Sequence, residues 1–155
     1  MNTRLIGIDP DVKESGFAML VDGRIEKLET LKLHVIFRAI ELNSPCHVCI
    51  SAGWLNSIVN FQNKQANARV RERISERIGA NHEIGKQIAS FCSYNNVPYT
   101  LVRPRTKKLN HKQFTALTGY PERTNQEERD AAMTAIAVLY SIDKTKQKND
   151  TEENT

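Results

Sequence analysis

The stretch Leu5-Ile6-Gly7-Ile8-Asp9-Pro10-Asp11 sets the pattern for the rest of the chain. A short apolar run leads directly into an Asp-Pro-Asp turn, which predicts a strand that ends at Asp9. A second apolar run covers residues 16–21, and the Asp22-Gly23 pair after it is a strong signal for a hairpin turn. A third strand is predicted over 24–29. The chain therefore opens with antiparallel strands, and Asp9 lies at the end of the first one.

Helical and extended patterns alternate after this hairpin. Helical spacing of apolar residues predicts helices over 31–42, 64–78, 82–94, 110–117 and 125–142, and apolar runs predict strands over 46–51 and 97–102. Strands that alternate with helices are joined by crossovers, so we expect an α/β fold with a mixed sheet of about five strands flanked by helices. Residues 1–142 form one predicted domain. The tail, 143–155, has no apolar residue and is predicted to be disordered.

Composition narrows the class of protein. The chain has 155 residues, of which 39% are hydrophobic and 26% are charged, as in ordinary globular domains. No run approaches ~18 apolar residues and no signal region opens the chain, so we expect a cytoplasmic protein without a membrane span. Cys46 and Cys49 form a C-x-x-C pair within an apolar run. We interpret them as residues on opposite faces of a buried strand and not as a metal or redox pair.

Basic residues are concentrated in one part of the chain. The net charge is +4, and residues 142–155 carry −1, which leaves +5 on the body. Residues 84–121 contain no acid but six basic residues: Lys86, Arg103, Arg105, Lys107, Lys108 and Lys112. This distribution indicates a surface for a polyanion. The alternative is a basic face that is merely solvated.

Three acids could hold a divalent cation. Asp9 lies at the end of a strand, and ligands of α/β proteins bind beyond the carboxyl ends of strands. The alternative is that Asp9 merely caps its turn through local hydrogen bonds. Glu127 and Asp130 are three residues apart and share one face of the last predicted helix. That helix then becomes small and apolar, so an acid at its entrance needs a partner, which a metal could be. Glu127 also fits a capping box that begins at Thr124, whereas Asp130 lies too deep to be a cap.

Together these motifs resemble those of the RuvC-like Holliday junction resolvases of the RNase H-like superfamily. The first strand, Ile6-Gly7-Ile8-Asp9-Pro10 followed by Ser15-Gly16, is similar to the family's first strand and hairpin. Glu127-Glu128-Arg129-Asp130-Ala131-Ala132 resembles its final acidic helix, and the tract from Asn125 resembles phage-encoded members. Val48-Cys49-Ile50-Ser51, with Trp54 after it, resembles its central strand. The resemblance covers roughly residues 4 to 140.

The resemblance implies a metal-dependent endonuclease that hydrolyses branched DNA as a homodimer, in a bacterial host cell if the chain is phage-encoded. Family members hold two Mg²⁺ ions with four carboxylates, and Mn²⁺ is possible. Here the catalytic positions are Asp9, Ser51, Glu127 and Asp130, and only the three acids are metal ligands, since Ser51 replaces the family's Glu. We therefore predict weak metal binding and a large loss of cleavage. Ser51 could be an engineered inactivation, a natural loss of activity or the mark of a one-metal site.

The resemblance also implies DNA contacts. We predict phosphate contacts from Lys108 and Lys112, and place Arg105 and Lys107 on the same surface. Trp54 could stack on an unpaired base at the branch, or it could pack on the rim of the sheet. The arginines over residues 69–77 are interleaved with glutamates, which favours a solvated face or a dimer seam over a groove contact.

Three functions remain open on the sequence. The first is the junction-resolving endonuclease, inactivated in this chain by Ser51. The second is a catalytically inactive module of the same fold that binds DNA junctions. The third is an RNase H-like nuclease that acts on another nucleic acid, such as an RNA–DNA hybrid.

Overall fold

The computed structural model describes residues 3–56 and 67–152, with side chains up to residue 149. Five strands and four α-helices follow in the order β1 (Arg4–Asp9), β2 (Ser15–Val21), β3 (Arg24–Leu31), α1 (Leu33–Leu42), β4 (His47–Ser51), α2 (Ala68–Tyr94), β5 (Tyr99–Val102), α3 (His111–Thr118) and α4 (Gln126–Glu152). A short 3-10 helix, Gly53–Leu55, follows β4. Within these ranges no helix is both long and apolar enough to cross a membrane.

The strands form one mixed sheet in the order β3-β2-β1-β4-β5. The pairs β1–β2 and β2–β3 are antiparallel, and the pairs β1–β4 and β4–β5 are parallel. The hairpin turn is at the predicted place, because Asp22 and Gly23 both have positive φ angles, 49° and 79°, as a type I′ turn requires. The predicted α/β class and mixed five-stranded sheet are confirmed.

Each face of the sheet has its own core. On one face α4 and Phe114 of α3 cover Leu5, Leu20 and Cys49. On the other face α1 and α2 cover a second cluster, which contains Ile6, Ile8, Phe17, Cys46, Val48 and Ile50. Alternating residues of each strand thus pack against different helices. Cys46 and Cys49 lie in different clusters and all three cysteines are free thiols, in agreement with the prediction of a buried strand.

Helix α4 lies unusually close to the β1–β2 hairpin. A Cβ added at Gly7 would lie 2.0 Å from the carbonyl oxygen of Ala131, and one added at Gly16 would lie 2.1 Å from that of Glu127. Such distances are far shorter than any van der Waals contact, so the helix backbone can occupy this position only because both strand residues lack a side chain. The glycines thereby fix where α4 begins relative to Asp9.

Two predictions about helices are wrong. The separate helices predicted over 64–78 and 82–94 form one continuous helix, α2, while residues 64–66 lie outside the described residues. Gly79, at the predicted break, weakens a helix by about 1 kcal/mol but does not end it. The nearby Asn81 side chain bonds to Asp11 and to the amide of Val12.

The tail was predicted to be disordered from Asp143, but α4 continues to Glu152. The lack of apolar residues removes a reason to pack, but it does not remove helix propensity. Lys and Gln are good helix formers, and a helix that is already nucleated in the core extends at little cost. Residues 153–155 lie outside the described residues.

We predict that Gly7→Ala and Gly16→Ala each lower the free energy of unfolding by about 3 kcal/mol or more, because the new methyl group meets a helix carbonyl that cannot move alone. Urea denaturation measures this change. Gly79→Ala is the matched control: its added Cβ meets nothing within 4 Å, so stability should rise by up to ~1 kcal/mol. Equal effects of the three substitutions would contradict the close approach of α4.

Candidate functional site

The carboxyl ends of three parallel strands meet at one edge of the sheet. Ile8 of β1 pairs with Ile50 of β4, and Ser51 of β4 pairs with Val102 of β5. Asp9, one residue beyond Ile8, therefore lies in a row with Ser51 and Val102. Asp9 and Ser51 line the same cleft, which we call the strand-end cleft, together with Trp54, His82, Arg105 and Lys108. The neutral Ser51 hydroxyl group lies next to Asp9 at this edge.

Glu127 and Asp130, near the start of α4, line different cavities. Asn125 and Glu128 form a reciprocal cap, since the Glu128 amide donates to Asn125 Oδ1 (2.8 Å) and the Asn125 amide donates to Glu128 Oε2 (3.0 Å). The predicted capping box of Thr124 and Glu127 is therefore wrong, because the box lies one residue further along the chain. Glu127 is therefore free of a capping role, and its exposed side chain lines a different cavity, beside Asp11.

Of the acidic side chains in residues 3–56 and 67–149, Asp9 has the most strongly shifted pKa. The pKa of Asp9 is raised from its ordinary value of 3.8 to about 7, chiefly by burial and next by the charge of Asp130. Lys108 opposes this rise, and Glu127 and Asp11 add smaller upward contributions. The three predicted metal ligands are thus close enough to interact through their charges. A buried carboxyl group among other carboxylates favours a positive partner.

Lys108 supplies a positive charge next to these carboxylates. Its ammonium group contacts Oδ2 of Asp130, while the Gln126 amide donates to Oδ1 of the same carboxylate (2.8 Å). Lys108 also lies on the wall between the strand-end cleft and a neighbouring pocket that Asp130 lines, and Ser51 lines both cavities. The predicted DNA-contact residue therefore lies inside the acidic site.

The side chains do not form a ready metal site. Over residues 3–56 and 67–149, no group of three or more His, Cys, Asp or Glu side chains is arranged to hold a metal ion. Carboxylate oxygens are nonetheless the ligands that Mg²⁺ prefers. Three carboxylates opposed by the Lys108 ammonium group leave a formal charge of −2, which one divalent cation balances and two exceed. In donor chemistry and charge, the residues fit one cation better than two.

The other predicted DNA contacts differ in whether they line the cavities of this site. Arg105 lines the strand-end cleft, and Arg105 and Lys107 both line the neighbouring pocket. The side chains of Arg105 and Lys107 are exposed. Lys112 is exposed on α3 and lines neither cavity. Arg105, Lys107 and Lys108 thus lie on the walls of these two cavities, and Lys112 lies outside both.

Trp54 is packed into the wall of the cleft. A Cβ added at Gly85 of α2 would lie 2.6 Å from Cζ3 of the Trp54 ring, and Pro10 is also in contact there. His82 meets the ring edge-on at 6.0 Å, and the Lys86 ammonium group lies 5.9 Å from its centroid. These neighbours agree with packing on the sheet rim. Stacking of Trp54 on a DNA base stays a prediction.

Sequence reasoning missed the contacts that hold the β1–β2 loop. The Asn81 side chain accepts from the Val12 amide (2.8 Å) and donates to Asp11 Oδ2 (3.3 Å), and Arg77 lies 3.8 Å from the same carboxylate. Helix α2 thereby fixes the loop that follows Asp9. No local sequence pattern predicts this contact, because 70 residues separate Asn81 from Asp11.

The α/β fold with its mixed five-stranded sheet is similar to that of two solved RuvC structures. The structure is similar to Thermus thermophilus RuvC in complex with a Holliday junction substrate, with a TM-score of 0.57 and 14% sequence identity over 86% of this chain and 90% of that one. A second Thermus thermophilus RuvC structure gives a TM-score of 0.52 and 13% identity over 86% and 91% of the two chains. No family model matches the chain, and no curated protein matches it in sequence. At this identity the likeness establishes the fold.

We predict that Lys108→Ala raises the pKa of Asp9 above about 7 and that Asp130→Asn lowers it, because Lys108 opposes and Asp130 reinforces the upward shift. The pH titration of the Asp9 carboxyl carbon by ¹³C NMR measures both changes, with Asp9→Asn assigning the signal. Lys107→Ala is the control, since this lysine is not among the charges that act on Asp9. An unchanged titration in Lys108→Ala would place its ammonium group away from Asp9.

Proposed function

We propose that the chain binds branched DNA at the strand-end cleft and has the site of a divalent-cation-dependent junction endonuclease, weakened by Ser51. The observation that carries the proposal is that Lys108, at the carboxyl ends of the parallel strands, lines one cleft with Asp9 and contacts the carboxylate of Asp130. One of the similar structures is a RuvC bound to a Holliday junction. The fold alone would not select this function, because one fold hosts many.

The chain's own residues divide the work in this proposal. Asp9 and Asp130, with Glu127 beside them, would hold the cation, which supplies activation of water and compensation of phosphate charge. Lys108 and Arg105 orient the DNA backbone by charge-assisted contacts to phosphate oxygens. Ser51 leaves the fourth ligand position without charge, so cation affinity and the rate of phosphodiester hydrolysis are both low.

A homodimer is part of the proposal. Residues 68–77 at the start of α2 are all exposed, and Val70 and Ile74 expose 43% and 40% of their surface. A partner surface that covered these two apolar side chains would remove them from water, which favours association. A second copy of the chain placed there would supply a second strand-end cleft for a branched substrate.

A second candidate function is a junction-binding module that does not cleave DNA. Two observations favour it: Ser51 is neutral, and the Lys108 ammonium group already contacts the Asp130 carboxylate. In such a module the acids hold Lys108 in place, and Lys108 contributes to binding without any ion. The two candidates share a substrate and differ in whether the phosphodiester bond is broken.

We predict that Ser51→Glu gives Mg²⁺-dependent cleavage of a synthetic four-way junction, because it restores the fourth carboxylate. The gain over the unchanged chain should exceed the ~10–100-fold that an outer-shell partner of a metal contributes. Cleavage is measured on denaturing gels with and without Mg²⁺, using duplex DNA and an RNA–DNA hybrid as comparison substrates.

Ser51→Gln is the matched control for this experiment. It adds a side chain of similar size without a charge, so no gain in rate is expected. If Ser51→Glu binds the junction tightly and still does not cut, the endonuclease proposal fails and the binding module stands. Preferential cleavage of the hybrid would instead assign the chain to RNA–DNA substrates.

We predict that Lys108→Ala combined with Lys112→Ala weakens binding to junction and duplex alike and lowers the slope of affinity against salt by about 2, one unit for each lost phosphate contact. Fluorescence anisotropy over a range of salt concentrations measures both quantities. Lys144→Ala combined with Lys146→Ala is the matched control. It removes the same charge from the far end of α4, where Lys146 lies near His47 at the start of β4. Equal losses in the two double variants would mean that only net charge matters.

A further inference from the structure

Arg129 is a buried cation in the apolar part of α4. Only 9% of its surface is exposed, and all three guanidinium nitrogens donate hydrogen bonds. Its acceptors are neutral oxygens: the carbonyl groups of Leu109 and Thr124, the Thr124 hydroxyl group and the Gln126 amide oxygen. Burying a charge costs stability unless such bonds compensate it. An apolar residue such as methionine or leucine could occupy this position without that cost, so packing alone does not explain the arginine.

The acceptors of Arg129 belong to the segments that carry the candidate site. Nε donates to the carbonyl group of Leu109 at 3.0 Å, and Leu109 directly follows Lys108. Nη1 donates to the carbonyl oxygen of Thr124 at 2.7 Å and to its hydroxyl oxygen at 3.0 Å, just before α4 begins. One side chain thus ties the segment that bears Lys108 to the helix that bears Asp130.

The remaining nitrogen of Arg129 orients Gln126. Nη2 donates to Gln126 Oε1 at 3.1 Å, and Gln126 Nε2 donates to Asp130 Oδ1 at 2.8 Å. An arginine has no acceptor, so the oxygen of the Gln126 amide must face Arg129 and its NH₂ group must face Asp130. The amide therefore donates to the carboxylate, a charge-assisted bond that holds one oxygen of Asp130 and leaves the other for Lys108.

We propose that Arg129 is a positioning residue that holds the Lys108 ammonium group and the Asp130 carboxylate against each other. It acts on Lys108 through the Leu109 carbonyl group and on Asp130 through the Gln126 amide. It touches no DNA itself. The role of the pair in DNA binding rests on the proposed function, whereas the positioning of the pair does not.

The test uses Arg129→Lys and Gln126→Met in the full chain. A lysine keeps the charge but cannot reach three separate acceptors. Gln126→Met removes the amide that links Arg129 Nη2 to Asp130 and leaves the bonds of Arg129 to Leu109 and Thr124. Gln87→Met, at an exposed position on α2, is the matched control. Thermal unfolding verifies that each variant folds. If Arg129→Lys does not fold, Gln126→Met carries the test alone.

Junction affinity is measured for each variant with Lys108 present and in the Lys108→Ala background. If Arg129 acts through Lys108, each variant should lose on the order of 10-fold in affinity when Lys108 is present and nearly nothing when it is absent. Equal losses in both backgrounds would show a role in folding alone and would overturn the proposal. The Gln87→Met control should not change affinity in either background.

A second measurement needs no DNA. The side-chain ¹⁵N signal of the Lys108 ammonium group, identified by its loss in Lys108→Ala, should be protected by the contact with Asp130 and disappear in Arg129→Lys and Gln126→Met. A signal retained in both variants overturns the positioning role. A signal lost in both variants, in a chain that binds no junction, supports the positioning role and rejects the proposed function. The two failures are therefore distinguishable.

Discussion

The close approach of α4 to the β1–β2 hairpin is the constraint on which the candidate site depends. Gly7 faces the carbonyl oxygen of Ala131 and Gly16 faces that of Glu127, at distances that exclude any Cβ. Gly16 is also the strand partner of Asp9. Because the helix can meet the sheet in only this register, its first acidic turn lies beside the end of β1. Residues that are 118 or more positions apart in sequence are brought together by two missing side chains, not by an attraction between the acids, which repel one another.

The burial of Asp9 among other acids lowers the free energy of unfolding above a definite pH. Asp9 has a pKa of about 7 in the folded chain and an ordinary value of 3.8. Between these values the folded chain retains a proton that the unfolded chain has released. The contribution of this group to the free energy of unfolding therefore falls as the pH rises through that window, by about 4 kcal/mol at most, and the full cost remains above pH 7. A cation near Asp9 reduces the cost, and Lys108 already does so in part.

The sequence predicted what local patterning controls and missed what distant contacts control. The turn at Asp22 and the strand before Asp9 were predicted because turn chemistry and apolar runs act over a few residues. The continuity of α2 was missed because the four-residue spacing of Val70, Ile74 and Ile78 is not continued beyond Ile78, although the backbone stays helical to Tyr94. Glu127 and Asp130 were identified as candidate ligands because they are three residues apart on a predicted helix. The contact of Lys108 with Asp130 was not predicted, since it depends on how α4 packs and not on any spacing in the chain.

The balance of charge explains why one side chain separates the two candidate functions. A glutamate at position 51 would add a fourth carboxylate beside an Asp9 whose pKa is already about 7, so the folded site would need more positive charge than Lys108 supplies. A divalent cation would reduce that excess of negative charge. In the proposed function, a serine at position 51 would weaken cation binding and would also lower the repulsion between the cleft and a DNA phosphate. One neutral side chain would therefore favour junction binding over cleavage.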